Sequence, residues 1–347
     1  MAEKVRPLSL PHPEHMSLIR GSPPRFWSHD GPLARALSPL SVIGAGLTAR
    51  RVARPGWQVP VPVVCCGNVT SGGAGKTTLV LDLARRLTSR GTHVHILLRG
   101  YGGSARGAHR VLPADPVDLV GDEALLLAEA APTWTGADRA ASARAAIAAG
   151  ARALLMDDGL QNATLVKTCS LLVIDGRSGF GNGRVLPAGP LREPVSAAAA
   201  RVQAAVLIGP DEAGAIVRLP PGLPVLRADL EQHSAILALA GRRVLAFAGI
   251  ASPEKFFAPL RKAGAVLAGA SGFPDHHLYT ARELDGLRRR AATMEAMLVT
   301  TPKDAVRLPP ALRSEVTVVD VALRWYDPAQ IERMLDKVMD AVPPVVR

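Results

Sequence analysis

Apolar positions along the chain fall into two alternating patterns. Short, mainly apolar runs at Pro62 to Cys66, His93 to Leu98, Ala153 to Met156, Leu171 to Asp175 and Ala204 to Gly209 have the length of strands buried on both faces. Between them lie longer segments of helix formers, Thr77 to Arg90 closed by Gly91 and Ala140 to Gly150. A second series follows, with strands at Arg243 to Gly249, Met297 to Thr301 and Val316 to Leu323. Its first helix, Glu254 to Ala263, is opened by Ser252 as N-cap and Pro253 at the first helical position. Strands and helices in alternation predict an α/β protein with a mostly parallel sheet. The proline-rich span Pro220 to Pro224 marks a boundary, giving a first domain over residues 57–225 and a smaller α/β domain over residues 226–347.

Ahead of the first strand, residues 1–24 are proline-rich and without periodicity, which predicts a loose leader. Residues 25–56 contain the most apolar early stretch, Leu33 to Ala49, interrupted by Pro39 and flanked by Arg35, Arg50, Arg51 and Arg54. That is short of the roughly 20 uninterrupted apolar residues of a spanning helix. Two readings stay open: an amphipathic helix lying in a membrane interface with its arginines toward anionic head groups, or a helix packed into the core.

Chemistry concentrates where the first strand meets the first helix, in CCGNVTSGGAGKTTL (Cys65 to Leu79). Glycines at such a turn let backbone N–H groups converge on phosphate oxygens, and the helix N-terminus adds a favourable field. Gly72, Gly73, Ala74 and Gly75 would form the cradle together with Lys76, Thr77 and Thr78. In that cradle Lys76 reaches the β and γ phosphates and the Thr77 hydroxyl helps to hold Mg²⁺. Thr70 stands where the strict motif has Gly. Asp157 and Asp158 end the strand Ala153 to Met156 as the acids that meet the Mg²⁺ of a phosphate loop do.

Three further stretches are ambiguous on their residues alone. Arg99-Gly100-Tyr101-Gly102-Gly103 ends a strand, where open α/β sheets put ligand contacts, and it also fits an ordinary loop. Asp122 and Glu123 begin an apolar helical run as caps or dipole partners do. Phe273-Pro274-Asp275-His276-His277 fits a metal site, a base or a polar turn. The long Gly- and Pro-rich segment Gly176 to Pro194 has the form of a functional loop.

A formal net charge of +11 calls for an anionic partner. With aromatic residues at 4% and no basic run interleaved with them, single-strand stacking is poorly supported, so no nucleic acid is expected. Cys65, Cys66 and Cys169 have no metal-ligand spacing and fit reduced, buried thiols.

Taken in order, GNVTSGGAGKTT, RGYGG, VGDE, DDGLQN, DGRSGFGNGRVLPAGPLREP, AGIASPEKFF, FPDHHLYT and TPKDAVRL resemble the tetraacyldisaccharide 4′-kinases, the lipid A 4′-kinases of Gram-negative bacteria. The resemblance runs from about Arg25 to Trp325. It implies a P-loop NTPase-like core and transfer of the γ-phosphate of ATP, with Mg²⁺, to the 4′-hydroxyl of a tetraacylated glucosamine disaccharide 1-phosphate. It implies work at the cytoplasmic face of the bacterial inner membrane, on an anionic surface, through the N-terminal segment. Carried over residue by residue, it makes Lys76 the phosphate contact, Thr77, Asp157 and Asp158 the Mg²⁺ ligands, and Asp122 a catalytic base working with His276. Arg99, Tyr101, Gln161, Arg192 and Glu193 then line the cleft. Leu98, Thr78, Asn162 and Pro302 depart from the residues usual at their positions, without removing an expected Mg²⁺ ligand or the pair. The alternative is a ParA/MinD-like regulatory ATPase, since GGAGKTT resembles its loop. That family's signature Lys is absent, its place taken by Ser71.

Overall fold

The computed structural model describes residues 24–232 and 234–341; the expected leader, apart from Pro24, lies outside the described residues. Among the described residues thirteen strands are present: β1 (Val63–Gly67), β2 (Val94–Leu98), β3 (His109–Arg110), β4 (Thr133–Thr135), β5 (Ala153–Asp157), β6 (Cys169–Asp175), β7 (Ala204–Ile208), β8 (Val225–Gln232), β9 (Arg243–Ala248), β10 (Val266–Gly272), β11 (Met297–Thr300), β12 (Thr317–Val318) and β13 (Val321–Trp325). Nine build one sheet in the order β13-β8-β7-β6-β1-β5-β2-β4-β3. It is parallel from β8 to β4, with antiparallel strands only at its two edges. All residues of β1, β2, β5 and β7 are buried, which explains why their sequences run apolar without alternation.

The sheet is wound outward from β1. Chain order proceeds through β2 and β5 on one side and through β6 and β7 on the other, so β1 sits at the switch point where open α/β sheets bind ligands. Helix α2 (Lys76–Ser89) leaves directly from the β1 turn. Its Leu79, Leu83 and Leu87, spaced to share one face, are fully buried, each stabilising by about 2 kcal/mol. This anchoring holds the N-terminus of α2, and with it the cradle, against the sheet.

The second sheet, β10-β9-β11-β12, is all parallel. It interrupts the first domain. After β8 the chain builds the small sheet, and β13 then returns to pair antiparallel with β8, from Val321 opposite Gln232 to Trp325 opposite Ala228. The last helix, Pro328–Asp340, buries Ile331, Leu335 and Val338 in the first core. The domain division therefore differs from the one expected at residues 225 and 226. Strand β8 and residues 321–340 join the first domain, and the single strand expected over Val316 to Leu323 is two strands in different sheets. Asp320 makes the break: its carboxylate accepts the Val321 N–H (2.7 Å) and faces Arg85 (3.2 Å).

Helix α1 (Pro32–Val52) is docked by small residues and displays most of its large ones. Ala34 and Ser41 are buried, the Ser41 hydroxyl donates to the Val185 carbonyl (2.6 Å), and the Thr48 hydroxyl donates to the Arg192 carbonyl (3.3 Å). Leu33, Leu40, Ile43 and Leu47 recur at helical spacing on another face and are exposed, as is Val42. The core-packing alternative thus fails for these five residues, while Leu37 and Val52 are half-buried. Among the described residues no helix is long and apolar enough to cross a membrane.

Candidate active site

The turn after β1 bends at Gly72 (φ 141°) and Gly75 (φ 83°). Gly75 is the N-cap of α2, and its left-handed conformation is the one that glycine adopts without strain. Thr70, the departure from the strict motif, is structural. It bridges Leu191 in antiparallel fashion, and its hydroxyl accepts from the Asn68 amide (3.0 Å). The long loop expected to be functional clamps the cradle from that side. Ser71 N–H donates to the Pro190 carbonyl (2.8 Å) and Arg192 N–H to the Val69 carbonyl (2.6 Å).

Lys76 donates to Asn68 Oδ1 (3.0 Å) and lies 3.7 Å from Asp158. Thr77 donates to Asp157 Oδ2 (3.3 Å), which brings the end of β5 to the mouth of α2. The two aspartates part company here. Asp158 has φ 52°, a left-handed conformation unusual for a non-glycine residue, and both its oxygens accept from Arg192 Nη1 (2.8 and 2.9 Å). Asp157 is buried, and its Oδ1 has no hydrogen-bond partner among the described residues. Burial, then the nearby Glu123, pushes its carboxyl up to about 7. An orphaned buried carboxylate oxygen beside a hydroxyl fits a hard divalent cation, which takes oxygen donors and draws the rest of its shell from phosphate and water.

The cleft residues form a chain. Gln161 donates to the Asn68 carbonyl (3.0 Å) and to Glu193 (2.9 Å), while Arg201 pairs with both Glu193 oxygens (2.9 and 2.8 Å). Arg192 also reaches Gln161 (3.4 Å). Glu193 is thus a buried support rather than an open contact. Arg99 and Tyr101 are exposed at the end of β2, and the Tyr101 ring lies 6.4 Å from that of His276. Of the departures, Asn162 caps its own turn by accepting from Thr164, Pro302 opens a short helix capped by Thr301, and Leu98 is buried in β2. The position of Thr78, in the first turn of α2, calls for no special contact.

Across the cleft, Asp122 opens the helix Asp122–Ala128 and is only 4% exposed. His276 comes from the second domain, and its Nδ1 sits 2.9 Å from Asp122 Oδ2, so the pair forms where the two domains meet. The FPDHH element divides its histidines. His276 reaches the site with its side chain 41% exposed, while His277 stacks on Phe273 and pairs with Glu283 (3.1 Å) inside its own domain. The metal alternative for FPDHH finds no support, since no group of three or more His, Cys, Asp or Glu side chains among the described residues could hold a metal ion. Burial by itself raises the Asp122 carboxyl, but the hydrogen bond from His276 and the charges of Arg307 and Lys303 outweigh it and hold the group well below the usual carboxylate range. The same hydrogen bond raises His276 above its ordinary value.

Sequence reasoning passed over three residues that complete this arrangement. Asn68 positions Lys76, Arg201 holds Glu193, and Arg307 donates to Asp122 through Nε (3.0 Å) and Nη2. A signal was available for Arg307 alone. It lies in the amphipathic turn of TPKDAVRL, as a charge among residues expected to be buried, and a buried charge needs a partner. The thiols are free and buried as expected, with burial pushing Cys65 up to about 12 and Cys169 up to about 11.

A cradle of this form, at the end of the central strand of a parallel sheet, places the chain in the P-loop class of nucleotide-binding proteins. Within that class it belongs to the tetraacyldisaccharide-1-P 4′-kinase family, whose family model matches residues 33–340. It is 59% identical over 320 residues to the tetraacyldisaccharide 4′-kinase of Gluconacetobacter diazotrophicus, covering 91% of this chain and 98% of that one. To the protein of the same name from Gluconobacter oxydans it is 52% identical over 323 residues, with 92% and 98% covered. The crystal structure of the "apo" form LpxK from Aquifex aeolicus in complex with ATP shares the fold, with a TM-score of 0.73 at 24% identity over 88% of this chain and 99% of that one. Family membership sets aside the regulatory-ATPase alternative.

Proposed function

We propose that this chain transfers the γ-phosphate of ATP to the 4′-hydroxyl of a tetraacylated glucosamine disaccharide 1-phosphate at a membrane surface. Membership in the family supports the reaction. The observation that carries the mechanism is a two-sided site, with a phosphate cradle on one side of the cleft and a carboxylate–imidazole pair, Asp122 and His276 at 2.9 Å, on the other.

Phosphoryl transfer passes through a loose transition state, and the protein contributes mainly position and charge. The cradle amides and Lys76 bind the phosphates. Lys76 leaves its resting contacts with Asn68 and Asp158 to do so. Thr77 and Asp157 would hold Mg²⁺, which would supply positive charge against the phosphates. Arg192, anchored between Asp158 and Gln161, presents a guanidinium toward the same space. On the acceptor side Asp122 takes the proton of the sugar hydroxyl, and His276 orients its carboxylate. Asp122 is ionised throughout the physiological range, because His276, Arg307 and Lys303 stabilise the charged form. Tyr101, exposed beside His276, and Arg99, exposed at the end of β2, would meet the acceptor.

Incubation with labelled ATP, Mg²⁺ and tetraacyldisaccharide 1-phosphate in detergent micelles tests the reaction. Label should move to the lipid; label found only as free phosphate would sink the kinase reading.

The exposed stripe Leu33, Leu40, Ile43 and Leu47, with Arg50, Arg51 and Arg54 beyond it, supports a peripheral seat in an anionic membrane interface. Because α1 is also bonded to the clamp loop through Ser41 and Thr48, its removal would disturb the cradle as well. Substitution of the outward residues separates the two effects. The triple change Leu40→Glu, Ile43→Glu and Leu47→Glu should lower partitioning onto anionic vesicles by at least about 100-fold, since each buried aliphatic side chain is worth about 1.5–3 kcal/mol. ATP binding should persist. Unchanged co-sedimentation of the folded variant would remove α1 from the membrane role.

A further inference from the structure

We propose that Arg307 is a positioning residue that fixes both members of the Asp122 and His276 pair at once, with Asp304 holding Arg307 in place. The proposal rests on the reading of that pair as the acceptor-side machinery.

The Arg307 side chain has no exposed surface, and each end of its guanidinium is committed. Nε and Nη2 donate to Asp122 Oδ2, the oxygen that also meets His276. Nη1 donates to the Gly249 carbonyl (2.8 Å) and to Asp304 Oδ1 (3.0 Å). That same Gly249 carbonyl accepts the backbone N–H of His276 (3.2 Å). One planar cation therefore holds the carboxylate of the first partner and the backbone anchor of the second. His276 needs such an anchor, because its φ of 58° is a conformation that a non-glycine residue keeps only where its surroundings impose it.

Asp304 is the hub behind Arg307. It is fully buried and accepts the Tyr279 hydroxyl (2.7 Å), the Thr301 hydroxyl (2.6 Å) and the Gly249 N–H (2.9 Å) as well as Arg307. Gly249 is closely packed, since a Cβ there would lie 3.1 Å from Asp304 Oδ1 and 3.2 Å from His277 Cβ. A parallel link joins Lys303 to Glu123 at 2.8 Å, so one turn of the second domain grips two consecutive residues of the first. The geometry requires a fork. A lysine could neutralise Asp122 but could not span Asp122, Gly249 and Asp304 together. None of the Arg307 contacts is to the cradle, Arg192 or Gln161, so its role is separable from ATP binding.

The test compares the full-length parent with Arg307→Lys, reading kcat, KM for the lipid acceptor, equilibrium ATP affinity and Tm. The variant keeps the charge and loses the span, and kcat should fall on the order of 100-fold, the effect of about 1 Å of misplacement, while ATP affinity holds. In a His276→Gln background the further loss from Arg307→Lys should shrink, because both act through one unit. Tyr279→Phe, which removes a single donor from Asp304, should give a smaller fall in kcat of the same character. It carries the same readouts should Arg307→Lys fail to fold. Unchanged kcat in the folded variant, equal losses in kcat and ATP affinity, or full additivity with His276→Gln would each overturn the proposal. Asp122→Asn distinguishes the two readings. Retained turnover there removes the pair itself, whereas turnover lost there but kept in Arg307→Lys removes only the role of Arg307.

Discussion

Asp122→Asn is expected to lower kcat at least about 100-fold, some 2.7 kcal/mol of transition-state stabilisation, within the span attributed to a positioned base. ATP affinity should be little changed, because Asp122 contacts His276, Arg307 and the Glu123 N–H and none of the cradle. The amide keeps the shape of the carboxylate, but it cannot accept a proton and presents a weaker partner to Arg307. A second readout follows from the sign of the His276 shift. The hydrogen bond to Asp122 raises the imidazole, so in Asp122→Asn its titration, followed by NMR, should move down toward the ordinary histidine value of 6.5. Turnover surviving within about threefold would end the base assignment. Comparison with His276→Gln ranks the pair. A smaller loss there keeps the carboxylate as acceptor, while a larger one transfers that role to the half-exposed imidazole with Asp122 behind it.

Lys76→Met should lower kcat by about 10²–10³-fold, the scale of losing one preorganised charge at a developing anion. Here ATP affinity should fall too, which separates this variant from Asp122→Asn. The resting structure adds a consequence. Asp158 is held by Lys76 and Arg192 together, so methionine leaves it with Arg192 alone. Arg192 is then drawn more firmly to Asp158, and a compensating Asp158→Asn should recover part of the lost ATP binding. A Lys76→Met enzyme with unchanged kcat and unchanged ATP affinity would displace Lys76 from the cradle.

Much of this site was legible in the sequence, and the limits have physical causes. Strands buried on both faces read as apolar runs, and a glycine-rich turn before Lys-Thr leaves few alternatives, so the cradle and Asp157 were accessible from local pattern. Asp122 was not. An acid in the first turn of a helix looks like a cap, and only the partners brought by the second domain distinguish it. The antiparallel return of β13 to β8 was hidden for a related reason, since an edge strand's pairing depends on where another element ends. Glu193 misled in the opposite direction. An acid in a functional loop suggests an open contact, whereas Arg201 and Gln161 bury it as a brace.

The way in which β8 and β13 lie side by side has a bearing on how such a protein can change. The chain enters and leaves the second domain on one pair of facing residues, Gln232 and Val321, so that domain is a cassette with adjoining ends. Replacing it disturbs a single rung of the large sheet and leaves the nucleotide half's winding intact. Exchange between relatives must then preserve the ion pairs that cross the boundary, among them Arg307 and His276 with Asp122, Lys303 with Glu123, Arg313 with Glu129 and Lys255 with Asp175. The side of the site that carries His276 and Arg307 can then diversify while the phosphate cradle is inherited unchanged.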